Sequence, residues 1–375
     1  MITSRERLLN VMQGSMADRT AVAPFVYGNV VREWKGDVNA DLISGTIEFC
    51  KTYGFDIILR NFNIRADTFS ASSSQWQIET TSIEKDSITT EITTKIETPS
   101  GRLVTKRTNT RLNCFHTVTA CTESLIKTEE DFRMLARYCP PSSAPLYELK
   151  RAKKVIGQDG ILAPWTAGVF NYMAQLRALD DLLTDPYLNP DFYAEFAEYA
   201  LLCLKNELAP ILCEGVDMLS YAGNIANSSL VGPAFFEQFV LPYEKQLVDY
   251  IQQRCVGIIY HNCGDGSSMI PCYNALAPRC YESMTEPPYA DNSLTDCATG
   301  FSQNITLMGG IDQITFLRKA TPEQIIKRAS DVLRIFSEHQ HFILGTSDFL
   351  EQKTPKKNLS ALSSVINLLN SGAIK

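Results

Sequence analysis

Apolar positions along the chain fall into two textures. In most of it, short apolar runs of about six residues alternate with amphipathic stretches of helical period. Runs near 21–27, 55–61, 160–165, 216–221, 257–263, 279–284, 305–309 and 341–346 read as buried strands. Stretches at Ser4–Gln13, Leu42–Tyr53, Glu129–Tyr138, Tyr147–Ile156, Asp191–Leu208, Pro233–Arg254 and Thr321–Phe336 carry apolar residues three and four apart and read as helices, Ser4 being read as the N-cap of the first. Residues 70–121 differ. There Thr, Ser, Ile and Val alternate with period two, as in Ser87-Ile-Thr-Thr-Glu-Ile-Thr-Thr-Lys-Ile, and Thr98-Pro-Ser-Gly supplies a turn. That pattern predicts an antiparallel hairpin or meander inserted after the second strand.

With the insertion set aside, eight strand–helix units remain. The expected fold is an α/β (β/α)8 barrel, residues 1–375 forming one domain with the 70–121 insertion lying over it. The insertion is read as a cover for the site, as decoration, or as a sheet that pairs two copies of the chain in a homodimer.

Composition narrows the function classes. The chain has 375 residues, 45% of them hydrophobic, enough for a large core, and its net charge of −7 with no basic block argues against nucleic acid as a partner. No apolar run reaches the ~18 residues of a membrane span. The N-terminus is polar and lacks a signal-peptide core, and eleven cysteines show no framework spacing. Free thiols in a cytoplasmic protein are therefore expected.

Candidate chemistry gathers at the predicted strand C-termini, where barrel active sites are built: Asn29, Arg60, Trp165, Tyr221, His261, Cys263, Glu282, Asp312 and Asp348. The fifth strand, Gly257-Ile-Ile-Tyr-His261-Asn-Cys263-Gly264, is the most informative. Alternation puts Ile259, His261 and Cys263 on one face, with an imidazole and a thiol side by side at the tip. Those are two zinc ligand types, and Asp348 or Glu282 could supply the third. His339 and His341 lie at the opposite end of their strand. Tyr27, Trp165 and Tyr221 are expected to shape an apolar substrate pocket, and Asn29, Asp217 and Asn224 to supply polar contacts.

Several short motifs, taken in order, carry a resemblance. Thr3-Ser-Arg-Glu-Arg-Leu-Leu with Asp18-Arg19, Glu214-Gly-Val-Asp217, Pro233 through Pro242-Tyr243, Tyr260-His261-Asn-Cys263-Gly264, Gly309-Gly-Ile-Asp312, and Thr354-Pro355 with Asn358 resemble the uroporphyrinogen decarboxylase superfamily over nearly the whole chain. Within it, the chain is most similar to the cobalamin-dependent methyltransferases. Phe25-Val-Tyr-Gly-Asn-Val-Val-Arg stands where true decarboxylases carry an arginine-rich propionate motif. Asp348 stands where thiol-methylating members carry a cysteine. The insertion and Glu282-Ser-Met-Thr-Glu-Pro-Pro resemble the substrate-demethylating members. The resemblance implies a zinc-dependent enzyme that moves a methyl group from a small methylated, in particular methoxylated, substrate to the Co(I) corrinoid of a partner protein. Three alternatives stay open: transfer from methylcorrinoid to a thiol, a decarboxylase-like activity, and a metal-free scaffold for a corrinoid protein.

Overall fold

The computed structural model describes residues 2–64, 71–141, 144–254, 256–339 and 341–370. The strand segments expected from the pattern are all present: β1 (Ala21–Val22), β2 (Ile57–Leu59), then, after the insertion strands β3 (Gln77–Glu84), β4 (Thr89–Thr98), β5 (Gly101–Asn113) and β6 (His116–Glu123), the segments β7 (Gly160–Leu162), β8 (Trp165–Ala167), β9 (Met218–Ala222), β10 (Gly257–Asn262), β11 (Cys280–Ser283), β12 (Thr306–Ile311) and β13 (Phe342–Thr346). Trp165, expected to end one strand, instead begins a new segment. Pro164 has no N–H to give the ladder and splits β7 from β8, while its carbonyl accepts from Ser220 N at 2.9 Å.

Seven segments form one parallel sheet in the order β1-β13-β12-β11-β10-β9-β8, and β2 pairs in parallel with β7. Backbone bonds from Asp56 N to Val22 O at 2.8 Å and from Asp217 N to Leu162 O at 3.0 Å join that pair to the sheet on both sides. Alternation along the strands separates two cores. Ala21, Ala23, Ile58, Ile161, Ala163, Met218, Ile259, Cys280, Met308 and Ile343 meet on the inner face. Residues of the other parity, such as Leu219, Tyr221, Ile258, Tyr260, Leu307 and Leu344, pack against the helices.

The first helix, Ser4–Met12, puts Leu8, Val11 and Met12 into the inner cluster at the strand N-termini. Its N-cap is Thr3, which forms a capping box with Glu6, and not Ser4 as the sequence suggested. The Ser4 hydroxyl accepts from Ile57 N at 3.1 Å and ties the helix to β2 instead. The expected Pro233 helix is three pieces: Gly232–Phe235, a π-turn over Phe236–Val240, and Leu241–Gln252.

The insertion is a four-stranded antiparallel sheet in sequential order. Ser70, its expected first residue, lies outside the described residues. Ile96 and Leu103 are buried and join the main core, and Gly101 and Thr98 lie against Met134 of the helix Glu129–Tyr138. Ile83, Leu112 and Val118 are exposed. One face of the sheet thus packs on the body and the other meets solvent, as an antiparallel sheet allows.

Candidate metal centre

His261 and Cys263 sit at the C-terminal end of β10, on the parity of Ile259, so the inner face delivers both to that end of the sheet. Gly264 then lets the chain turn close to Asn227, whose side-chain nitrogen would lie 2.6 Å from any Cβ at that position. Asp348 arrives at the end of β13. Its backbone N–H donates to Gln313 Oε1 at 3.1 Å, and its Oδ1 accepts from Phe349 N at 2.7 Å. One donor atom each from His261, Cys263 and Asp348 lies within 4.8 Å of the other two. His261 Nε2 and Asp348 Oδ1 are 3.6 Å apart. Two ligands on a tetrahedral zinc with bonds of about 2.1 Å are separated by roughly 3.4 Å, so this donor set fits that ion with little movement.

Glu282, the other expected third ligand, is turned to a different task. Both its oxygens accept from Arg60, at 2.8 Å each, and Oε2 lies 3.1 Å from His261 Nδ1. Nδ1–H therefore donates to the carboxylate and Nε2 faces Asp348 and Cys263, the atom a metal would take once it displaced the Nε2 proton. This carboxylate–imidazole pairing fixes the tautomer and the ring plane of a metal-binding histidine. The Ser283 hydroxyl also lies 3.2 Å from Nδ1. Ser283 and Met284 hold φ of 115° and 52°, a strained turn directly after Glu282. Gly309, at φ 143°, accommodates that turn, because a Cβ there would stand 2.4 Å from Ser283 O.

The charges support each other. Burial alone would push the Glu282 carboxyl up, but Arg60 and His261 hold it at about 2. Burial pushes His261 down, and its contacts with Cys263, Glu282 and Asp348 more than offset this, raising it to about 10. Burial raises Asp348 above the usual carboxylate range, partly countered by His261. Without a cation the cluster thus holds a proton among three negative or negatively ionisable groups. A divalent ion would displace that proton.

Aromatic rings wall the site. Trp165 and Phe25 pack edge-on to His261 at 5.7 and 5.6 Å. Phe349 stands 6.2 Å from Phe25, and Tyr27 is 5.5 Å from Phe349. The Arg60 guanidinium lies 4.3 Å above the Phe25 ring. Leu350 N donates to Phe25 O at 2.8 Å, which clamps the β13 loop to the end of the first strand and brings Phe25 and Phe349 together.

A match to the family model described as uroporphyrinogen decarboxylase (URO-D) spans residues 144–368, well over half the chain and all the strands from β7 onward. The chain belongs to the URO-D family. Among curated proteins, this URO-D member is 28% identical over 147 residues to the methylated-thiol–coenzyme M methyltransferase of Methanosarcina mazei, covering 39% of the chain and 36% of that protein. It is 27% identical over 144 residues to a methylcobamide:CoM methyltransferase of the same organism, covering 38% of each. The matches therefore span little more than a third of those relatives' length. A solved methyltransferase structure from Methanosarcina mazei superposes with a TM-score of 0.70 over 99% of the chain and 100% of that structure, at 11% identity, and so shares the fold.

Two of the expected residues, Asp217 and Tyr221, lie away from this cluster. Asp217 precedes β9 at the opposite end of the sheet, where it pairs with Arg5 and accepts from Leu162 N at 2.9 Å. Tyr221 has the helix-facing parity. It is fully buried, stacks on Tyr260 at 5.8 Å, and donates its hydroxyl to Glu244. Glu244 also accepts from Val169 and Phe170 amides at 3.1 and 3.0 Å, so this group locks a helix start and lines no pocket. Asn224 is exposed and accepts from Asn171 at 2.8 Å. Asn29 is buried, with its Oδ1 bonded to Val30 N at 2.8 Å.

Sequence reasoning placed Arg60 at a strand end without a role, and it missed Phe25 and Phe349. Phe25 continues the parity of Ala21 and Ala23, which was the available signal. Among the described residues, no helix is long and apolar enough to cross a membrane.

Proposed function

We propose that this URO-D family member is a corrinoid-linked methyltransferase in which zinc is held by His261, Cys263 and Asp348. The single observation that carries the reading is that one nitrogen, one sulfur and one oxygen donor converge within 4.8 Å at the strand C-termini. The strands are taken to close as a (β/α)8 barrel with residues 1–375 as one domain, whose mouth accepts the corrinoid-bearing face of a partner protein. The substrate is a small methylated compound, and the methyl group passes to Co(I) of that partner.

Zinc, when bound, supplies Lewis acidity to the heteroatom that carries the methyl group. The protein's own groups do the rest. Glu282, held by Arg60, keeps His261 in the tautomer that offers Nε2 outward. Trp165 and Phe25, themselves 5.7 Å apart, pack edge-on against the ring and help to hold its orientation. The aromatic wall receives an apolar methyl-bearing body and orients its methyl group toward the open mouth.

A second reading has a specific support. The curated relatives are named for transfer involving coenzyme M, so transfer from methylcorrinoid to a thiol is the competing direction. Asp348 in place of a second thiolate favours demethylation, because an oxygen donor leaves less negative charge on the metal and keeps it a stronger Lewis acid.

The experiment is metal analysis of chelator-washed protein beside His261→Ala, followed by assay with a Co(I) corrinoid protein and methoxylated compounds. About one zinc per chain, lost in the variant together with turnover, is the expected result. Unaltered turnover in His261→Ala would sink the reading.

A further inference from the structure

The insertion sheet rests on the body through part of one face. Ile96 and Leu103 are buried against the main core, and Ile78 is partly buried against the same core. At one end His116 stands edge-on to Phe349 at 6.4 Å and next to Asn29 at 3.4 Å. From there β6 runs clear of the body. Its cross-strand partners Arg111, Asn109 and Arg107 put Thr117, Thr119 and Cys121 on the face of Leu103, yet all three are exposed. The sheet therefore overhangs the body at β6, and its outer edge is open.

The ladder shows which groups that edge presents. Arg111 N donates to Ile88 O, so the Arg111 amide points to the β4 side. Alternation then turns the backbone groups of Thr108 and Thr110 toward β6, where they face Ala120 and Val118. Thr117, Thr119 and Cys121 are left with N–H and C=O groups pointing outward, and among the described residues no strand pairs with them.

Proteins guard such edges with charge, proline or a bulge. The other edge of the sheet, β3, carries the exposed Glu79 and Glu84. Residues 117–122 of β6, Thr-Val-Thr-Ala-Cys-Thr, hold neither charge nor proline, and the irregularities of the β5–β6 ladder lie at its two ends. Glu123, the next residue, is held by Lys106 and Lys127 at 2.9 Å each.

This edge is complementary to itself. Two copies laid antiparallel about a two-fold axis at Thr119 set Thr119 opposite Thr119, Thr117 opposite Cys121, and Val118 opposite Ala120. The first two pairings join residues whose backbone groups point outward, so each can exchange both N–H···O bonds. Threonine meets threonine, an apolar side chain meets an apolar one, and no like charges face each other. We infer that β6 is a dimerisation edge, through which two copies of this chain join their insertion sheets into one continuous antiparallel sheet centred on Thr119.

The test is sedimentation velocity of the full chain over a concentration series, with circular dichroism alongside to check folding. The wild type should sediment as two chains. Thr119→Lys and Thr119→Glu each set like charges face to face across the axis and should sediment as single chains. An equimolar mixture of the two should recover the two-chain species, because lysine then faces glutamate. Thr119→Pro removes an N–H that the chain's own sheet does not use, so it should weaken association about tenfold or more with the fold intact. Thr81→Lys, on the β3 edge, should leave the dimer as it is. A wild type that stays a single chain throughout, or a dimer indifferent to all three Thr119 substitutions, would overturn the inference. A mixture of the Lys and Glu variants that stays monomeric would overturn the pairing about Thr119.

Discussion

Arg60 and Glu282, one just past the end of β2 and the other in β11, meet in a two-pronged hydrogen bond with both contacts at 2.8 Å, fully inside the protein. The pair is the support on which His261 rests. Removing one member of a buried ion pair leaves the other desolvated and uncompensated. Arg60→Ala is expected to destabilise the fold by about 3–5 kcal/mol. It should also loosen zinc by about 10–100-fold through the histidine it no longer helps to orient. Chemical denaturation and a chelator competition assay measure the two effects separately.

Asp348→Cys tests the donor set. A thiolate there gives a His-Cys-Cys site, which zinc also accepts. The variant should retain about one zinc per chain and lose activity toward methyl ethers, since a second thiolate weakens the Lewis acid. Cys263→Ala should lose zinc outright. Metal analysis after dialysis against a weak chelator distinguishes these outcomes.

The pH dependence should reverse sign when the metal is removed. In the metal-free protein His261 is raised from 6.5 to about 10. Its contribution to stability is therefore full below pH 6.5 and is lost as pH rises through 10. Glu282, held at about 2 against 4.5, contributes above pH 4.5 and is lost as pH falls toward 2. Zinc binding needs the neutral imidazole, so metal affinity rises over the window, 6.5 to 10, in which the metal-free protein weakens. Melting curves at pH 6, 8 and 10, with and without chelator, should slope in opposite directions.

Tyr221→Phe separates a packing role from a pocket role. Glu244 would lose one of three hydrogen-bond donors while fully buried, so a loss of about 1–3 kcal/mol in stability is expected. Zinc content and affinity for methylated compounds should not change. A selective loss of substrate affinity at full stability would return Tyr221 to the pocket.

Much of this was legible in the sequence, and the exceptions have physical causes. The alternation of apolar runs located each strand because the sheet is buried on both faces and tolerates little else. His261 and Cys263 were readable because two donors on one parity at a strand tip must point to one side. The parity rule also marks Tyr221 as facing away, since it is out of step with Met218 on the inner face. Asp217 was misplaced because a residue just before a strand lies at the far end from the mouth, a matter of two positions. The choice between Asp348 and Glu282 depended on Arg60, which comes from a different strand. No spacing along the chain encodes that encounter. The docking of His116 was invisible for the same reason. It follows from how a four-stranded sheet leans on the helix Glu129–Tyr138.

The helix Ser4–Met12, which stoppers the strand N-termini with Leu8, Val11 and Met12, has a kinetic consequence. On the proposed barrel reading, closing that end would leave small molecules and a partner protein one shared doorway at the other. A partner seated there would trap whatever had entered before it and bar whatever had not. Binding would then be compulsory in order: small substrate first, partner second, and the demethylated product last to leave. Product inhibition in steady-state kinetics would carry the signature of that queue.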